Sequence, residues 1–295
     1  MIQHTLSVVI PAYNEQDRIG RTLDCLIQQI DEIDEIIVVD NNSTDATAEI
    51  VRSHQENQPK IRVVQESRPG LVYARKAGFD AAQGSIIARL DADTYARIGW
   101  ARAARESFEH APTNTGLISG PMVPYDSPSR QKFERAKTRE IETALAKRNP
   151  GGRAVYGIHM APGGNNAITQ ECWRAVRDKV SDRTDIYEDL DLSICVRAAG
   201  YTIGVSADMW ADTSGRRFRS SPMSYWSYMA QLPRTYRLHG QNREAWSSYL
   251  VVWNNRLVHL LTWLPTRAYD PDADKRSFRQ IFRGEEDRIL GRNDE

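Results

Sequence analysis

Cysteines and long apolar runs are scarce in this sequence, and each deficit excludes a class of protein. The only three cysteines, Cys25, Cys172 and Cys195, are an odd number and show no Cys-x-x-Cys spacing. A disulfide framework and a structural zinc site are therefore disfavoured, and the reducing cytoplasm is the compartment that fits best. No stretch approaches the roughly 20 apolar residues that span a bilayer. The N-terminus lacks a basic segment followed by an apolar helix, so we expect neither a secreted nor an integral membrane protein.

An excess of charge of one sign is also absent. The chain has 295 residues, with 39 Lys+Arg against 39 Asp+Glu. Phosphate recognition usually leaves a strongly basic balance, so we expect no nucleic-acid partner. Two glycine-rich phosphate-binding motifs are missing as well, Gly-x-Gly-x-x-Gly after the first apolar run and the P-loop pattern. Dinucleotide oxidoreductases and P-loop NTPases are therefore poorly supported.

The first 120 residues alternate short apolar runs with amphipathic segments of helix length. This alternation is typical of an α/β domain with a largely parallel sheet. The predicted strands in this part are residues 6–10, 36–39, 61–64 and 86–90. Proline has no N–H to donate to a sheet, so we expect Pro11 to end the first strand.

The pattern changes after a further predicted strand at 117–119. A charged helix is predicted near 131–147 and another at 188–199, which Gly200 ends. Glycine-rich loops at 151–152 and 163–164 lie between them, and a strand is predicted at 201–205. From Ser221 onward the sequence is helical and rich in aromatic residues, and the last fifteen residues are polar and expected to fray.

Polar side chains follow the ends of three predicted strands. In open α/β sheets, ligands bind beyond the carboxyl ends of the strands. The residues at these ends are Tyr13, Glu15, Asp40, Asp91 and Asp93. In extended backbone, residues two apart point to the same side, so the carboxylates of Asp91 and Asp93 can face one ligand. Two carboxylates suit Mg²⁺ or Mn²⁺, and such a metal can bridge to a bound diphosphate.

Together these motifs make the chain similar to a family 2 glycosyltransferase of the GT-A fold. The resemblance covers roughly residues 5 to 215, and the motifs stand in the family's order. They are Val8-Val9-Ile10-Pro11-Ala12-Tyr13-Asn14-Glu15, Val38-Val39-Asp40, Arg68-Pro69-Gly70 with Ala74-Arg75 and Gly78, Asp91-Ala92-Asp93, Pro162-Gly163-Gly164-Asn165-Asn166-Ala167 and Tyr187-Glu188-Asp189.

The resemblance implies a role for each matching residue. Those that hold the base and ribose of the donor are Pro11, Tyr13, Glu15 and Asp40, with Arg75 beside the nucleotide. Asp91 and Asp93 reach the ribose and the metal on the diphosphate, and Asp93 is the more direct metal ligand. The loop near the acceptor and the donor sugar is Gly163, Gly164 and Asn165. In the Glu188-Asp189 pair, Asp189 matches the catalytic base.

Chemistry supports one base at this position independently. Sugar transfer passes through an oxocarbenium-like state, and the incoming hydroxyl must lose a proton. A glycosidase needs two carboxyls on opposite sides of the bond, whereas the adjacent Glu188 and Asp189 diverge in direction. An alternative is that both acids only complement the dipole at the start of a helix. Within the whole series of motifs we favour catalysis.

Two features depart from the family's pattern. Many relatives carry a metal-binding histidine after the late strand, where this chain reads Ala211-Asp212-Thr213-Ser214-Gly215-Arg216-Arg217. Either Asp212 or water then completes the metal site. Gln231-Leu232-Pro233-Arg234-Thr235 is similar to the Gln-x-x-Arg-Trp element of processive synthases but lacks its tryptophan. We therefore expect transfer of a single sugar.

Residues 213–240 contain five arginines and five aromatic residues but no acid. Three interpretations stay open: arginines that clamp a diphosphate or a phosphorylated acceptor, an aromatic face on a membrane or lipid-linked acceptor, and a packed amphipathic helix. Residues 249–264, with Trp253, Leu257, Leu260, Leu261 and Trp263, are interpreted as core or dimer contact rather than membrane anchor.

We therefore predict a Rossmann-like α/β/α sandwich of GT-A type, with a mostly parallel central sheet and a helical C-terminal extension. Residues 1–120 form the half that binds the donor, 121–215 the acceptor and catalytic half of the same domain, and 216–295 the extension, rich in arginine and aromatic residues.

The predicted activity is metal-dependent, inverting transfer of one sugar from a nucleotide diphosphate sugar to an acceptor hydroxyl. UDP is the favoured nucleotide and GDP the second, with Mn²⁺ or Mg²⁺ as cofactor. The alternatives are a non-catalytic nucleotide-sugar-binding protein of the same fold and a sugar-phosphate nucleotidyltransferase. We expect a cytoplasmic protein, and leave open both a peripheral contact with the inner membrane face and a homodimer.

Overall fold

The fold is that of a computed structural model, which describes residues 4–270, 275–277 and 281. The strands of its main sheet are β1 (Leu6–Ala12), β2 (Glu35–Asp40), β3 (Ile61–Gln65), β4 (Ile86–Leu90), β6 (Thr115–Ser119), β8 (Ala154–Tyr156), β9 (Asn165–Thr169) and β10 (Thr202–Ser206). A small second sheet contains β5 (Thr94–Ala96), β7 (Met122–Pro124) and β11 (Ala211–Thr213), and a two-stranded ribbon contains β12 (Tyr269–Asp270) and β13 (Lys275–Arg276).

Helices connect and flank these strands. Seven lie before residue 200: α1 (Ile19–Ile27), α2 (Thr47–Asn57), α3 (Leu71–Ala81), α4 (Trp100–Glu109), α5 (Arg130–Arg148), α6 (Gln170–Val176) and α7 (Glu188–Ala198). Four follow: α8 (Arg216–Arg219), α9 (Pro222–Met229), α10 (Gln231–Leu238) and α11 (Asn242–Arg267).

The strand order of the main sheet is β3-β2-β1-β4-β9-β6-β10-β8. The first four strands are parallel, as the alternation of strands and helices predicts, and β10 is parallel to β6. Strand β9 lies antiparallel between β4 and β6, and β8 is antiparallel at the edge. The predicted class, an α/β/α sandwich with a mostly parallel sheet, is confirmed. Because β9 lies beside β4, the glycine-rich loop before β9 meets the end of β4.

Two apolar layers cover the sheet because successive residues of a strand point to opposite faces. Val8 and Ile10 of β1 pack in one layer with residues of α1 and α4. Val9, between them, packs in the other layer with residues of α3, α6 and α7. The β-branched runs of β1 and β2 are buried along their length, as expected for strands covered on both faces.

Pro11 does not end the first strand, contrary to the prediction. Strand β1 continues to Ala12, and Pro11 lies opposite Val39 of β2. On its other side, the described pairing of β1 with β4 ends at Val9 and Arg89. The missing N–H of Pro11 therefore costs no ladder hydrogen bond to β4, which is why a proline is tolerated there.

The C-terminal extension is helical, as predicted. Tyr225, Met229 and Val252 form its small buried cluster, and the ring of Tyr225 stacks on His259 at 3.9 Å between centroids. Of the two interpretations of residues 249–264, core or dimer contact, core is wrong for Trp253, Leu257, Leu260 and Leu261, whose side chains are exposed. Dimer contact stays a prediction. A single helix packed on the domain buries only one of its faces, here through residues such as Ala245, Ser248, Val252 and His259.

Two further predictions concern the ends of the chain and its division. Of the last fifteen residues, expected to be frayed, all but Ile281 lie outside the described residues. The division into segments 1–120, 121–215 and 216–295 stays a prediction.

Among the described residues, no helix combines the length and the apolar character that crossing a membrane requires.

Candidate active site

Strands β1, β2 and β4 are parallel neighbours, so the residues after their carboxyl ends meet at one edge of the sheet. Tyr13, at the end of β1, is partly exposed, whereas Glu15 is buried. Asp40, the last residue of β2, is buried as well, and its Oδ1 accepts the N–H of Ser43 at 3.1 Å. The structure thus brings these predicted residues to the same edge, with the ring of Tyr13 facing solvent.

The Asp91-Ala92-Asp93 segment is a turn, not the extended backbone that we predicted. The N–H of Thr94 closes it by donating to the carbonyl oxygen of Asp91 at 2.9 Å. Residues two apart in a turn need not point to one side, and each carboxylate has its own arginine. Asp91 accepts from Arg89 at 2.8 Å, and Asp93 accepts from Arg216 Nε at 3.0 Å.

Arg89 is the next-to-last residue of the buried strand β4. Its guanidinium contacts Asp91 Oδ1 at 2.8 Å, Glu188 Oε1 at 2.7 Å and Asp189 Oδ1 at 3.4 Å. One buried cation therefore joins the carboxylate of Asp91 to those of Glu188 and Asp189 in helix α7. Sequence reasoning missed this residue, although an arginine inside an apolar run predicted to be buried was a signal that it has a charged partner.

Glu188 is held by two buried arginines. Its Oε1 accepts from Arg89, and its Oε2 accepts from Arg75 Nη1 at 2.6 Å. Arg75 and Arg89 are 1% and 2% exposed, so these ion pairs lie within the protein. Arg75, which the resemblance places beside the nucleotide, is thus joined to α7, while its Nε and Nη2 have no hydrogen-bond partner.

The pKa values of the two adjacent carboxylic acids are shifted in opposite directions. Burial and the neighbouring charge of Glu188 raise the pKa of Asp189 well above its usual range, and Arg89 only partly opposes this. Burial disfavours the charge of Glu188 too, but Arg89 and Arg75 outweigh it and hold the pKa of Glu188 below its usual value. Neighbouring acids with separated pKa values mark one as permanently charged and the other as able to exchange a proton.

The glycine loop before β9 approaches Asp189 so closely that only glycine fits. A Cβ on Gly163 would lie 1.8 Å from Asp189 Oδ1, and one on Gly164 would lie 2.9 Å from Asp91 Oδ2. The backbone of this loop therefore lies against the carboxylates of both α7 and the strand-end turn. The structure brings Gly163 and Gly164 into the site, as the resemblance implies.

Asn165 is placed differently from the prediction. It is fully buried, and its Oδ1 accepts the indole N–H of Trp100 at 2.8 Å. Its Nδ2 donates to the carbonyl oxygens of Met209 at 2.7 Å and Pro121 at 3.2 Å. Both ends of the amide are used within the protein, so Asn165 supports the loop and we assign it no contact with a sugar.

Arg216, the first residue of α8, brings a cation from the C-terminal extension to the donor side of the site. Its Nη2 lies 2.7 Å from Glu15 Oε1, and its Nε lies 3.0 Å from Asp93 Oδ2. Burial raises the pKa of Asp93 to about 6, although Arg216 opposes the shift. Among the five arginines of the segment, this is the one that contacts the predicted donor-binding carboxylates directly.

Asp212, proposed from the sequence as an alternative to water in a metal site, is committed elsewhere. Its carboxylate accepts from Arg97 at 2.8 Å and from Arg130 at 3.2 Å. Successive side chains of β11 point to opposite faces, so Asp212 and Thr213 point in opposite directions. The hydroxyl of Thr213 lies 3.0 Å from that of Thr94, the residue after Asp93, so it is Thr213 and not Asp212 that points toward the paired aspartates. Of the two options for completing the metal site, Asp212 is therefore the one that the structure disfavours.

The residues at the strand ends fit a divalent cation. The side chains of Asp91 and Asp93 offer carboxylate oxygens, the ligand type that Mg²⁺ and Mn²⁺ prefer. Beside them, Glu15 Oε2 is buried without a hydrogen-bond partner, although the other oxygen of the same carboxylate pairs with Arg216 at 2.7 Å. An orphaned buried oxygen is costly unless something binds it.

Helices α9 and α10 contact the start of α7. The hydroxyl of Tyr228 donates to that of Tyr187, and Thr235 Oγ1 accepts the N–H of Tyr187 at 2.8 Å. Arg234, from the segment that is similar to Gln-x-x-Arg-Trp, binds Asp185 rather than an open site. The extension thus fixes the loop that leads into Glu188.

A second group of metal-ligand side chains, Asp191, Cys195 and His239, lies between α7 and α10. Its atoms already have partners: Asp191 accepts from Ser181 N–H at 2.9 Å and pairs with His239 Nε2 at 2.7 Å, and the thiol of Cys195 donates to Lys179 O. We interpret this group as a polar contact that joins the two helices.

A parallel sheet continued by an antiparallel strand, with paired aspartates at the strand end and a glycine loop beside them, defines a GT-A fold. Residues 7–173 match the model of the family described as Glycosyl transferase family 2. The chain belongs to this family.

Several known proteins are similar to parts of the chain. The amylovoran biosynthesis glycosyltransferase AmsB of Erwinia amylovora is 42% identical over 92 residues, 30% of this chain and 31% of that protein. The mannosyltransferase PcManGT of Pyrobaculum calidifontis, solved with GDP-Man and Mn²⁺, has a TM-score of 0.61 at 20% identity, over 95% of this chain and 78% of that one. GalNAc-T7, solved with UDP, GalNAc and Mn²⁺, has a TM-score of 0.57 at 16% identity, over 72% of this chain and 43% of that one.

The solved structures establish the likeness of fold. The matched segments cover 26% of the length of one curated relative and 49% of another. The chain thus spans less than two thirds of the length of these relatives.

Proposed function

We propose that this protein transfers a single sugar, with inversion, from a nucleoside diphosphate sugar to an acceptor hydroxyl, and that Asp189 is the catalytic base. The observation that carries the proposal is the Glu188-Asp189 pair. Glu188 forms ion pairs with two buried arginines, Arg75 and Arg89. The pKa of Asp189, which lies beside the glycine loop, is raised. This arrangement leaves one proton-accepting carboxylate at the strand-end edge.

The reaction follows from that position. Asp189 removes the proton of the acceptor hydroxyl as its oxygen bonds to the anomeric carbon of the sugar. The bond between that carbon and the diphosphate oxygen breaks, and the nucleoside diphosphate leaves with the electron pair. Attack opposite the leaving group inverts the anomeric configuration. A single base suffices because the leaving diphosphate needs cations rather than a proton.

The donor would lie over the ends of β1, β2 and β4. Tyr13, Glu15 and Asp40 would hold its base and ribose, with Pro11 at the end of β1. Arg216 would clamp the diphosphate, because a guanidinium binds phosphate oxygens with two N–H groups at once. We prefer UDP, with GDP second. One solved relative contains UDP and another GDP-Man.

Asp93 and Asp91 would hold a divalent cation, Mn²⁺ or Mg²⁺, with Asp93 the more direct ligand. When bound, the cation neutralises charge that develops on the departing diphosphate. Both solved relatives named above contain Mn²⁺. The two alternatives, a non-catalytic binding protein and a nucleotidyltransferase, gain no support from these relatives.

The first prediction tests the donor and metal site. UDP with Mn²⁺ should raise the melting temperature by about 5 °C at a hundredfold excess over Kd, because ligand binding at that excess stabilises by about 2.7 kcal/mol. Asp93→Asn should remove most of the part of the shift that depends on metal. Differential scanning fluorimetry with UDP and GDP, each with Mn²⁺ or EDTA, measures both effects.

Asp182→Asn is the matched control, because Asp182 is exposed and pairs only with surface Lys76 at 3.3 Å. It should keep the full shift. A shift that survives both EDTA and Asp93→Asn would rule out the metal assignment.

The second prediction concerns pH. Burial and Glu188 raise the pKa of Asp189 to about 7. A base acts only when deprotonated, so turnover should rise with pH up to about 7 and level off above it, falling about tenfold per unit below. Initial rates between about pH 5.5 and 9, with saturating donor and acceptor, give the profile. A rate that is flat across pH 7, while nucleotide binding stays constant, contradicts Asp189 as the base.

A further inference from the structure

The outer face of α11 is a large apolar surface without a partner in the described part of the chain. Leu250 is 78% exposed and Trp246 is 72% exposed. The exposed large apolar residues of this helix are Trp246, Leu250, Val251, Trp253, Leu257, Val258, Leu260, Leu261 and Leu264. We call these nine residues the α11 face. It extends for about 27 Å along the helix, longer than a scatter of single exposed residues would explain.

The α11 face is also broad. Neighbouring residues of a helix point about 100° apart, and both members of three adjacent pairs are exposed: Leu250 and Val251, Leu257 and Val258, and Leu260 and Leu261. The exposed apolar arc is therefore wider than the narrow seam that a paired helix covers. Such an arc fits a flat apolar medium.

Charge around this face is strongly asymmetric. Residues 216–268 contain eight arginines and a single acid, Glu244, a net charge of +7. Because the whole chain is neutral, the remaining residues carry a net charge of −7. Three of these arginines are paired with acids of the domain: Arg216 with Asp93, Arg219 with Asp126 and Arg234 with Asp185. The segment that carries the apolar face still holds five other arginines against one acid, which indicates an anionic partner.

Arginines stand beside the aromatic rings of the same helix. Arg237 lies 5.5 Å from the ring of Tyr249, Arg256 lies 6.0 Å from that of Trp253, and Arg267 lies 5.7 Å from that of Trp263. Tryptophan and tyrosine prefer the boundary between lipid headgroups and acyl chains, and arginine can reach the headgroups from there. Trp226, from α9, lies near the same Arg256.

We propose that the α11 face docks on an anionic lipid surface, with the helix lying in the plane of the headgroups. Its leucines and tryptophans would enter the outer acyl region, and the exposed Arg237 and Arg243 would bind the headgroup phosphates. The proposal does not depend on the sugar-transfer activity. It makes the extension a two-sided element, with one side on α7 and the other on the membrane.

A second copy of the chain is the rival occupant. Trp246, Leu250, Trp253, Leu257, Leu260 and Leu264 follow the alternating spacing of four and three residues that a coiled coil uses. Two observations disfavour it: the exposed arc is broader than that seam, and the flanking positions offer no opposite charges to select a partner helix. Two such segments would also bring two sets of arginines close together.

The test is flotation of the full chain with vesicles of phosphatidylcholine, with and without about a quarter phosphatidylglycerol. At about 50 mM salt, we expect binding to the anionic vesicles at least tenfold tighter than to the neutral ones. Binding should weaken as salt rises, because the Debye length shortens to about 10 Å at 0.1 M. Tryptophan emission should shift to the blue on binding, because rings of the α11 face leave water.

Two variants separate the apolar and the charged contributions. Leu250→Glu with Leu257→Glu should lower vesicle affinity more than tenfold, because two exposed leucines no longer enter the acyl region. Ile98→Glu is the matched control, since Ile98 is 74% exposed but lies outside the extension, and it should bind like the original chain. Arg237→Gln with Arg243→Gln should lower affinity about fivefold for each arginine and flatten the salt dependence.

Absence of vesicle binding at low salt, equal binding to neutral and anionic vesicles, or full binding by the double glutamate variant would overturn the proposal. A dimer in light scattering that the double glutamate variant dissociates, in a chain that binds no vesicles, would assign the α11 face to a second copy. UDP binding by each variant, followed by melting temperature, confirms folding. Vesicle binding by a chain that transfers no sugar would contradict only the proposed function.

Discussion

Asp189→Asn should reduce sugar transfer by a factor of about 10² to 10⁴ while leaving donor binding nearly unchanged. A positioned base contributes an acceleration of this order. The amide has the same size as the carboxylate, so it preserves packing against Gly163, but it cannot accept the proton of the acceptor hydroxyl. The variant therefore separates chemistry from folding. Turnover with saturating donor and acceptor, together with the UDP shift in melting temperature, measures the two effects.

The control for this variant is Asp182→Asn, an exposed aspartate seven residues earlier in the chain, which should retain full turnover. NMR of the product reports its anomeric configuration. Unchanged turnover in Asp189→Asn, or a product that retains the donor's configuration, would remove the inverting mechanism with a single base. Loss of donor binding in the same variant would instead assign Asp189 to the nucleotide site.

Glu188→Gln should have its largest effect on stability. Glu188 joins Arg75 and Arg89, which are 1% and 2% exposed, and a neutral amide leaves both guanidinium charges without their shared partner. Removing one member of a buried ion pair costs about 3 to 5 kcal/mol. We expect the free energy of unfolding in urea to fall by about 3 kcal/mol or more. Turnover below the melting temperature should fall less than in Asp189→Asn, because the Glu188 carboxylate points to the arginines.

Glu66→Gln is the comparison. Glu66 binds Arg68 at 2.8 Å, but Arg68 is 59% exposed, and such a pair is worth at most about 1 kcal/mol. If the two variants lose equal stability, the Arg75-Glu188-Arg89 group is not the link that holds α7 to the sheet. If Glu188→Gln loses as much turnover as Asp189→Asn, the division of roles between the two acids is wrong.

The two proposals also bear on each other. Arg216 binds Glu15 and Asp93 from the first turn of the extension, and Tyr228 and Thr235 bind Tyr187 just before the acids of α7. The segment that carries the α11 face therefore also contacts the proposed donor side and the proposed base side of the site.

The positions of strands and helix ends could be predicted from the sequence because each depends on only a few neighbouring residues. Strand β4 lies at Ile86–Leu90, as the apolar run before the paired aspartates predicts, and α7 begins at the predicted Glu188 and ends before Gly200. Gly200 has a positive φ of 88°, a conformation that glycine adopts without strain after a helix. The positions of the acids at strand ends follow from this local pattern.

Contacts between distant parts of the chain were decided by the tertiary structure alone. Glu188 meets Arg75 and Arg89 across roughly a hundred residues, and Glu15 meets Arg216 across about two hundred, so no short pattern encodes these pairs. Asn165 became a buried support because the antiparallel β9 places it against Trp100. Pro11 stayed within its strand because the pairing of β1 with β4 ends before it.

Residues 249–264 also show that the sequence determines local structure, whereas the tertiary structure determines contacts. Periodicity determines which residues share a face of a helix, since it depends only on spacing along the chain. It does not determine what that face meets, because burial depends on where the rest of the protein folds. Sequence alone therefore predicted a helix with an apolar face, and only the packing of Val252 and His259 onto the domain showed that Trp253, Leu257 and Leu261 face outward.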